Sequence, residues 1–161
     1  MTIMRVTLAG TDLDPEQKGA LARRLIDAFA SVEVGQSTPP VRAGFVVQIE
    51  QVSIDDVWMG DARMADAGSS GRAAMIDTRV MAGPWDDAMK AELFERLEAI
   101  VREAAAMPKE GAGAEFWMTI VEVPEGAWGY GGRTVSIASL APVFSEDRQV
   151  RIRHYLGSDD D

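Results

Sequence analysis

The apolar and β-branched positions of this chain fall into a pattern that occurs twice. Ile3, Met4, Val6, Thr7 and Leu8 have the composition of a strand, and the run stops at Gly10. Leu21, Leu25, Ala28, Phe29 and Val32 then fall on one stripe at helical spacing. Asp14 stands where a helix takes its cap and Pro15 suits the first helical position. Gln17 sits where a capping box wants its third residue. "FVVQIEQV" reads as a second strand, and "SIDDVWMGD" as a loop carrying Trp58. The same order then returns. "RVMAG" ends at Gly83, and Met89, Leu93, Leu97, Ile100 and Val101 make the second helical stripe, closed by Met107-Pro108. "FWMTIVEV" is the next strand, and "PEGAWGYGG" the next aromatic loop, carrying Trp128.

A strand, a crossover helix and a second strand predict a parallel pair with a right-handed crossover. Two such β-α-β units side by side predict an α+β fold, a mixed four-stranded sheet with both helices on one face. The units span residues 1–61 and 74–140, joined by a linker at 62–73 rich in small residues and followed by a C-terminal extension at 141–161. "RTVSIASL" reads as a strand after the second aromatic loop. In the extension, Gln149, Arg151 and Arg153 alternate with Val150, Ile152 and His154. That predicts an edge strand over 148–156 guarded by charge, with Arg148 on its other face. "GSDDD" at the end has the composition of a disordered tail. The sheet face without helices is expected to need burial, hence self-association.

Charge narrows the partners. A net charge of −10 argues against nucleic acid and against an anionic membrane surface. The sequence has no long apolar run and no leader pattern, so a cytoplasmic protein without membrane contact is expected. There is no cysteine, and His154 is the only histidine, which leaves little for a metal site or a serine triad. No cofactor is expected.

A strand that begins at the first residue fixes the α-amine in space. A primary amine held in a dry pocket can act as a base or a nucleophile. Met1 is therefore the candidate catalytic residue, or Thr2 if Met1 is removed.

With these residues in view, the chain resembles the 4-oxalocrotonate tautomerase group of the tautomerase superfamily. The resemblance is carried by the first-residue strand ending in "TLAG", by "DPEQKGAL" opening the helix, and by "VEVPEGAWGYGG". It covers residues 1–61 and 74–140, once in each half, like the fused, double-length form of the family. It implies a trimer and proton-transfer chemistry on small 2-oxo or unsaturated carboxylic acids. It also implies an amino-terminal proline as base, arginines for the substrate carboxylate and an aromatic residue lining the pocket. Counting back from the glycines, Met1 and Ala74 stand at the proline position. Thr11 and Pro84 stand at one arginine position, and Val46 and Trp117 at the other. The aromatic position is kept, as Trp58 and Trp128.

The candidate substrate-binding residues are Arg79, Arg42, Trp128, Tyr130, Trp58 and Leu8. Arg79 and Arg42 could form a carboxylate fork, with Asp77 a neutralising neighbour of Arg79 on the same strand face. Two functions stay open. One is a homotrimeric tautomerase-like protein with reduced or altered activity on small carboxylic acids. The other is a catalytically silent homologue that acts as a binding or assembly protein.

Overall fold

The computed structural model describes residues 1–66, 71–110 and 115–157. Strand β1 (Thr2–Ala9) leads to helix α1 (Pro15–Glu33), a short helix α2 (Pro39–Arg42) and strand β2 (Phe45–Val52). A small hairpin follows, β3 (Trp58–Met59) with β4 (Ala62–Arg63). The second half repeats the order with β5 (Ala73–Met81), α3 (Asp87–Ala104), β6 (Phe116–Val123) and the hairpin β7 (Gly129–Tyr130) with β8 (Arg133–Thr134). Helices α4 (Ile137–Leu140) and α5 (Glu146–Tyr155) close the chain.

The main sheet runs β2-β1-β5-β6. β1 pairs with β2 in parallel, β5 with β6 in parallel, and β1 with β5 antiparallel. This is the predicted mixed sheet. The capping box forms as read: Asp14 accepts from the Gln17 N–H and the Gln17 side chain accepts from the Asp14 N–H. Asp86 caps α3 through the Met89 N–H.

Both long helices lie on one sheet face. Leu21, Leu25, Phe29 and Val32 of α1, with Leu93, Leu97 and Val101 of α3, bury against Met4, Val6, Leu8, Ile76 and Val80. Each such side chain contributes about 1.5–3 kcal/mol of transfer free energy. The opposite face carries three rows set by the register. Val46, Ile3, Arg79 and Val121 form one, and Gln48, Arg5, Asp77 and Thr119 the next. Glu50, Thr7, Met75 and Trp117 form the third. Ile3, Val46, Trp117 and Val121 are exposed there, but a polar row runs between them, so this face is mixed rather than plainly apolar.

Two sequence expectations fail. Residues 148–156 are not an edge strand, since Glu146–Tyr155 form helix α5. Val150 and Ile152 were too few to separate a period of two from a helical one, and only Ile152 is buried. Acids in the first turn and Arg153 with His154 in the last satisfy the helix dipole, which favours the helix. "RTVSIASL" contributes only Arg133–Thr134 to a strand, because Ser136 accepts from the Ala138 N–H and starts α4. The linker is ordered in part: Ala62–Arg63 pair in the hairpin and Met64 is buried, while 67–70 lie outside the described residues. Of the "GSDDD" tail, 158–161 lie outside them as well.

The C-terminal helices dock on the end of α1 at Gly35. Its φ is +80°, and a Cβ there would stand 2.1 Å from Ser145 Oγ. Gly35→Ala is therefore expected to lose about 2 kcal/mol, part from left-handed backbone and part from the clash. Thermal unfolding should show a Tm several degrees lower. Adding Ser145→Gly should recover the clash component and leave the backbone component. No recovery would mean that this contact does not hold the segment.

Candidate functional site

β1 starts inside the protein because it is a central strand with neighbours on both edges. Thr2 is fully buried, and its N–H donates to Gly44 O at 3.1 Å. The antiparallel register places the end of β5 beside the start of β1, which brings Met81 next to Met1. The α-amine of Met1 lies 3.9 Å from Met81 Sδ. The loop after β6 folds Trp128 onto the same point, where its indole Nε1–H donates to Met1 Sδ at 2.9 Å. Trp128 is only 7% exposed. The aromatic loop of the second half thus serves the strand start of the first.

Glu33 completes the group. It is the last residue of α1 and is 1% exposed. The Thr2 hydroxyl donates to Glu33 Oε2 at 2.7 Å. Burial pushes the carboxyl up to about 7, opposed by the positive charge of the α-amine and by the Thr2 hydrogen bond. That shift moves its proton exchange toward neutral pH, so the carboxyl is suited to give or take a proton. Sequence reading passed over Glu33 because it lies off the main apolar stripe. A signal was present: an acid in the last helical turn runs against the helix dipole, and Val32 and Val34 on either side are apolar.

Met1 and Glu33 line a cavity of about 150 Å³ with Val34, Pro40, Val41, Gly44, Phe45, Leu140, Val143 and Phe144. No arginine or lysine is among the lining residues. Leu140, Val143 and Phe144 come from the C-terminal extension, which roofs the cavity. The roof is fixed by Ser145 N–H to Val34 O at 2.8 Å and Gln36 Nε2 to Val143 O at 2.5 Å. Tyr155 and Ile152 pack near Gly83, and Arg151 pairs with Asp86. Glu125 binds the segment from the second half, accepting from the Ile137 N–H at 3.0 Å.

Of the residues singled out from sequence, Met1, Thr2 and Trp128 meet here. Arg79 does not. It lies on the open sheet face, in a depression of about 200 Å³ shared with Arg5, Asp77 and Thr119. Asp77 accepts there from the Thr119 hydroxyl at 2.6 Å. Arg42 points along α1, with Nη1 3.3 Å from Asp27 Oδ1 and 3.1 Å from Ser37 O. Tyr130 sits on the β7 hairpin and is 70% exposed. Trp58 is 60% exposed on the other hairpin, and Leu8 is buried in the main core toward the far end of β1. Among the described residues no cluster of three or more His, Asp or Glu could hold a metal, and no helix is long and apolar enough to cross a membrane.

No family model matches the chain, and no curated protein sequence matches it significantly. Solved structures do. A fused 4-OT described as a wild-type symmetric trimer superposes with a TM-score of 0.65 at 18% identity, covering 86% of this chain and 98% of that one. A native fused 4-OT gives 0.65 at 21% identity, covering 82% and 94%. The macrophage migration inhibitory factor of Toxoplasma gondii gives 0.63 at 19% identity, covering 83% and 99%. The chain has the fold of the fused 4-OT proteins and of the macrophage migration inhibitory factors.

Proposed function

We propose that this chain is a tautomerase-superfamily protein whose first-residue site is altered. Its activity on small 2-oxo or unsaturated carboxylic acids is reduced, and it keeps a pair of groups able to move protons between an enol and a ketone. The observation that supports this is that Met1 and Glu33 line one apolar cavity, with the amine's charge acting on Glu33 and Trp128 held on Met1 Sδ. In ketonisation the enol O–H and the C=C π bond break while C–H and C=O form. One group must take the oxygen's proton while another delivers a proton to carbon. The positively charged amine can give the proton to carbon while Glu33, in its ionised form, takes the one from oxygen, and a proton passing back from Glu33 to the amine restores the pair. Arg42 is engaged by Asp27, and Arg79 belongs to another face, so the cavity offers a carboxylate no basic side chain, only the Met1 amine that already acts on Glu33. That absence also favours the second reading, a silent binding or assembly protein.

The assembly proposed is a homotrimer closed over the open sheet face. Ile3, Val46, Trp117 and Val121 are exposed there on neighbouring strands, and closed symmetry is the usual way to cover such a face. Sedimentation equilibrium should give about three times the chain mass, as closed threefold symmetry requires. Glu replacing Val46 should release smaller species. A clean monomer of the unaltered chain at micromolar concentration would sink the proposal.

Enol-to-keto conversion of phenylenolpyruvate tests the chemistry. The rate should fall about 10²–10⁴ below that of a proline-bearing family member, the usual contribution of a positioned base. Extending the chain by Gly-Ser ahead of Met1 should abolish what remains. Full activity in the extended protein would show that the amine is not used.

Glu33 should also leave a mark on stability. Its folded-state value lies above the ordinary 4.5, so between about pH 4.5 and 7 the folded chain binds more protons than the unfolded one. The contribution is therefore fully present below about pH 4.5 and is lost as pH rises through about 7, a change of about 3 kcal/mol. Urea unfolding across that range should show the loss in the unaltered protein. It should be missing in Glu33→Gln, whose amide oxygen can still accept from Thr2. Parallel pH profiles for the two proteins would contradict the assignment.

A further inference from the structure

We propose that the cavity beside Glu33 takes a small, uncharged, apolar carbonyl compound, a ketone or an aldehyde, in preference to a carboxylate of the same size. The inference rests on the first-residue site being a ligand site, and it names the class of molecule that fits.

Size is the first constraint. A cavity of about 150 Å³ with apolar walls accommodates a molecule of roughly benzene size. Pro40 and Val143 line it and are exposed, so it opens to the surface and allows a modest substituent on the ring. Val41, Phe45, Leu140 and Phe144 offer hydrophobic contact and no polar side-chain group.

Charge is the second. Glu33 is the sole ionisable side chain lining the cavity. A carboxylate placed beside it loses its water, finds no basic side chain and meets a group that can itself be anionic. The nearby cations are occupied elsewhere. Arg148 on α5 donates to Val32 O at 3.2 Å and pairs with Asp147 at 2.7 Å, and Arg42 pairs with Asp27. The amine's positive charge already acts on Glu33. A neutral carbonyl suffers none of these losses. Its oxygen accepts the proton of the neutral carboxyl, while its apolar body fills the remaining space.

Acetophenone and benzoate share a ring and are close in size, and they differ in charge. Isothermal titration calorimetry on the full chain, at about pH 6 and about pH 8, compares them on either side of the Glu33 transition. Acetophenone is expected to bind at least tenfold more tightly than benzoate, and to weaken at the higher pH as Glu33 loses its proton. Glu33→Gln should keep acetophenone binding within a few-fold, because the amide N–H donates, and remove the pH dependence. Val41→Phe, which fills the interior, and Val143→Trp, which fills the mouth without disturbing the core, should each lower acetophenone affinity at least tenfold. Equal or tighter benzoate binding overturns the inference. So does failure of both ligands to bind, or ketone binding untouched by both filling variants. Binding is read without turnover, so the two proposals separate. Ketone binding with no phenylenolpyruvate conversion upholds the ligand class and removes the catalytic reading. Conversion together with tight benzoate binding removes the ligand class alone.

Discussion

Helix α1 ends inside the protein, where its last carbonyls cannot reach water. The C-terminal extension supplies their donors. Ser145 N–H reaches Val34 O, and Arg148 Nε reaches Val32 O. The same docking lays Leu140, Val143 and Phe144 across the end of the helix and walls in one side of a cavity. Glu33, the final helical residue, is then shut away from solvent with Thr2 as its hydrogen-bond donor. A carboxyl in that place is held largely by its environment near the middle of the pH scale, since desolvation outweighs the amine's attraction. Capping the helix, closing the cavity and tuning the acid are one structural event.

The internal repeat makes the consequence sharper, because it provides a second strand start for comparison. β5 begins at Ala73, and its surroundings are Ala9, Met64, Val52, Ile54 and Val57. Glu115 is bound there through its backbone, accepting from the Ala74 N–H at 3.1 Å, and a peptide unit crosses close by: a Cβ on Gly10 would stand 1.7 Å from Gly71 O. Gly10, at φ +65°, permits an approach that a side chain would prevent. Trp58, on the loop of the first half, stays exposed, whereas Trp128, on the loop of the second, turns inward to Met1. Two halves with the same topology have thus been packed to different ends. One strand start is packed by apolar side chains beneath a crossing peptide, and the other borders a cavity lined by Glu33.

The fold was legible because it depends on periodicity and caps. The Leu21–Leu25–Phe29–Val32 stripe, the Asp14–Gln17 box and the strands ending at Gly10 and Gly83 each follow from local chemistry, and each formed as read. The extension was not legible. Ile152 carries its one buried contact within α5, and a single anchor gives no period to detect. The site was legible in part. Met1 was named from the strand that begins at the first residue and Trp128 from the aromatic loop of the resemblance, and the structure joins them. Glu33 was missed although an acid between Val32 and Val34 in the last helical turn was a signal, because nothing in the local pattern shows that Leu140, Val143 and Phe144 line the same cavity. Arginines were placed by their wish for a carboxylate. The structure gives Arg42 to Asp27 and Arg79 to the open sheet face.

Likeness at 17–21% identity to fused 4-OT structures establishes the fold, and what the fold does is decided by the side chains placed on it. Here those side chains change the sign of the pocket. A site that binds a carboxylate gains from a buried cation, and each charge-assisted hydrogen bond to one contributes about 1.5–3 kcal/mol. This cavity presents a carboxyl instead, so that gain is missing and part of it becomes repulsion. The same substitution has an opposite effect on a neutral carbonyl, which needs a proton donor and no counter-charge. A buried carboxyl near neutrality supplies that donor without requiring a full charge in a dry place. A cavity lined by a buried acid and no basic side chain is therefore better matched, on the reading proposed above, to a neutral carbonyl than to a carboxylate.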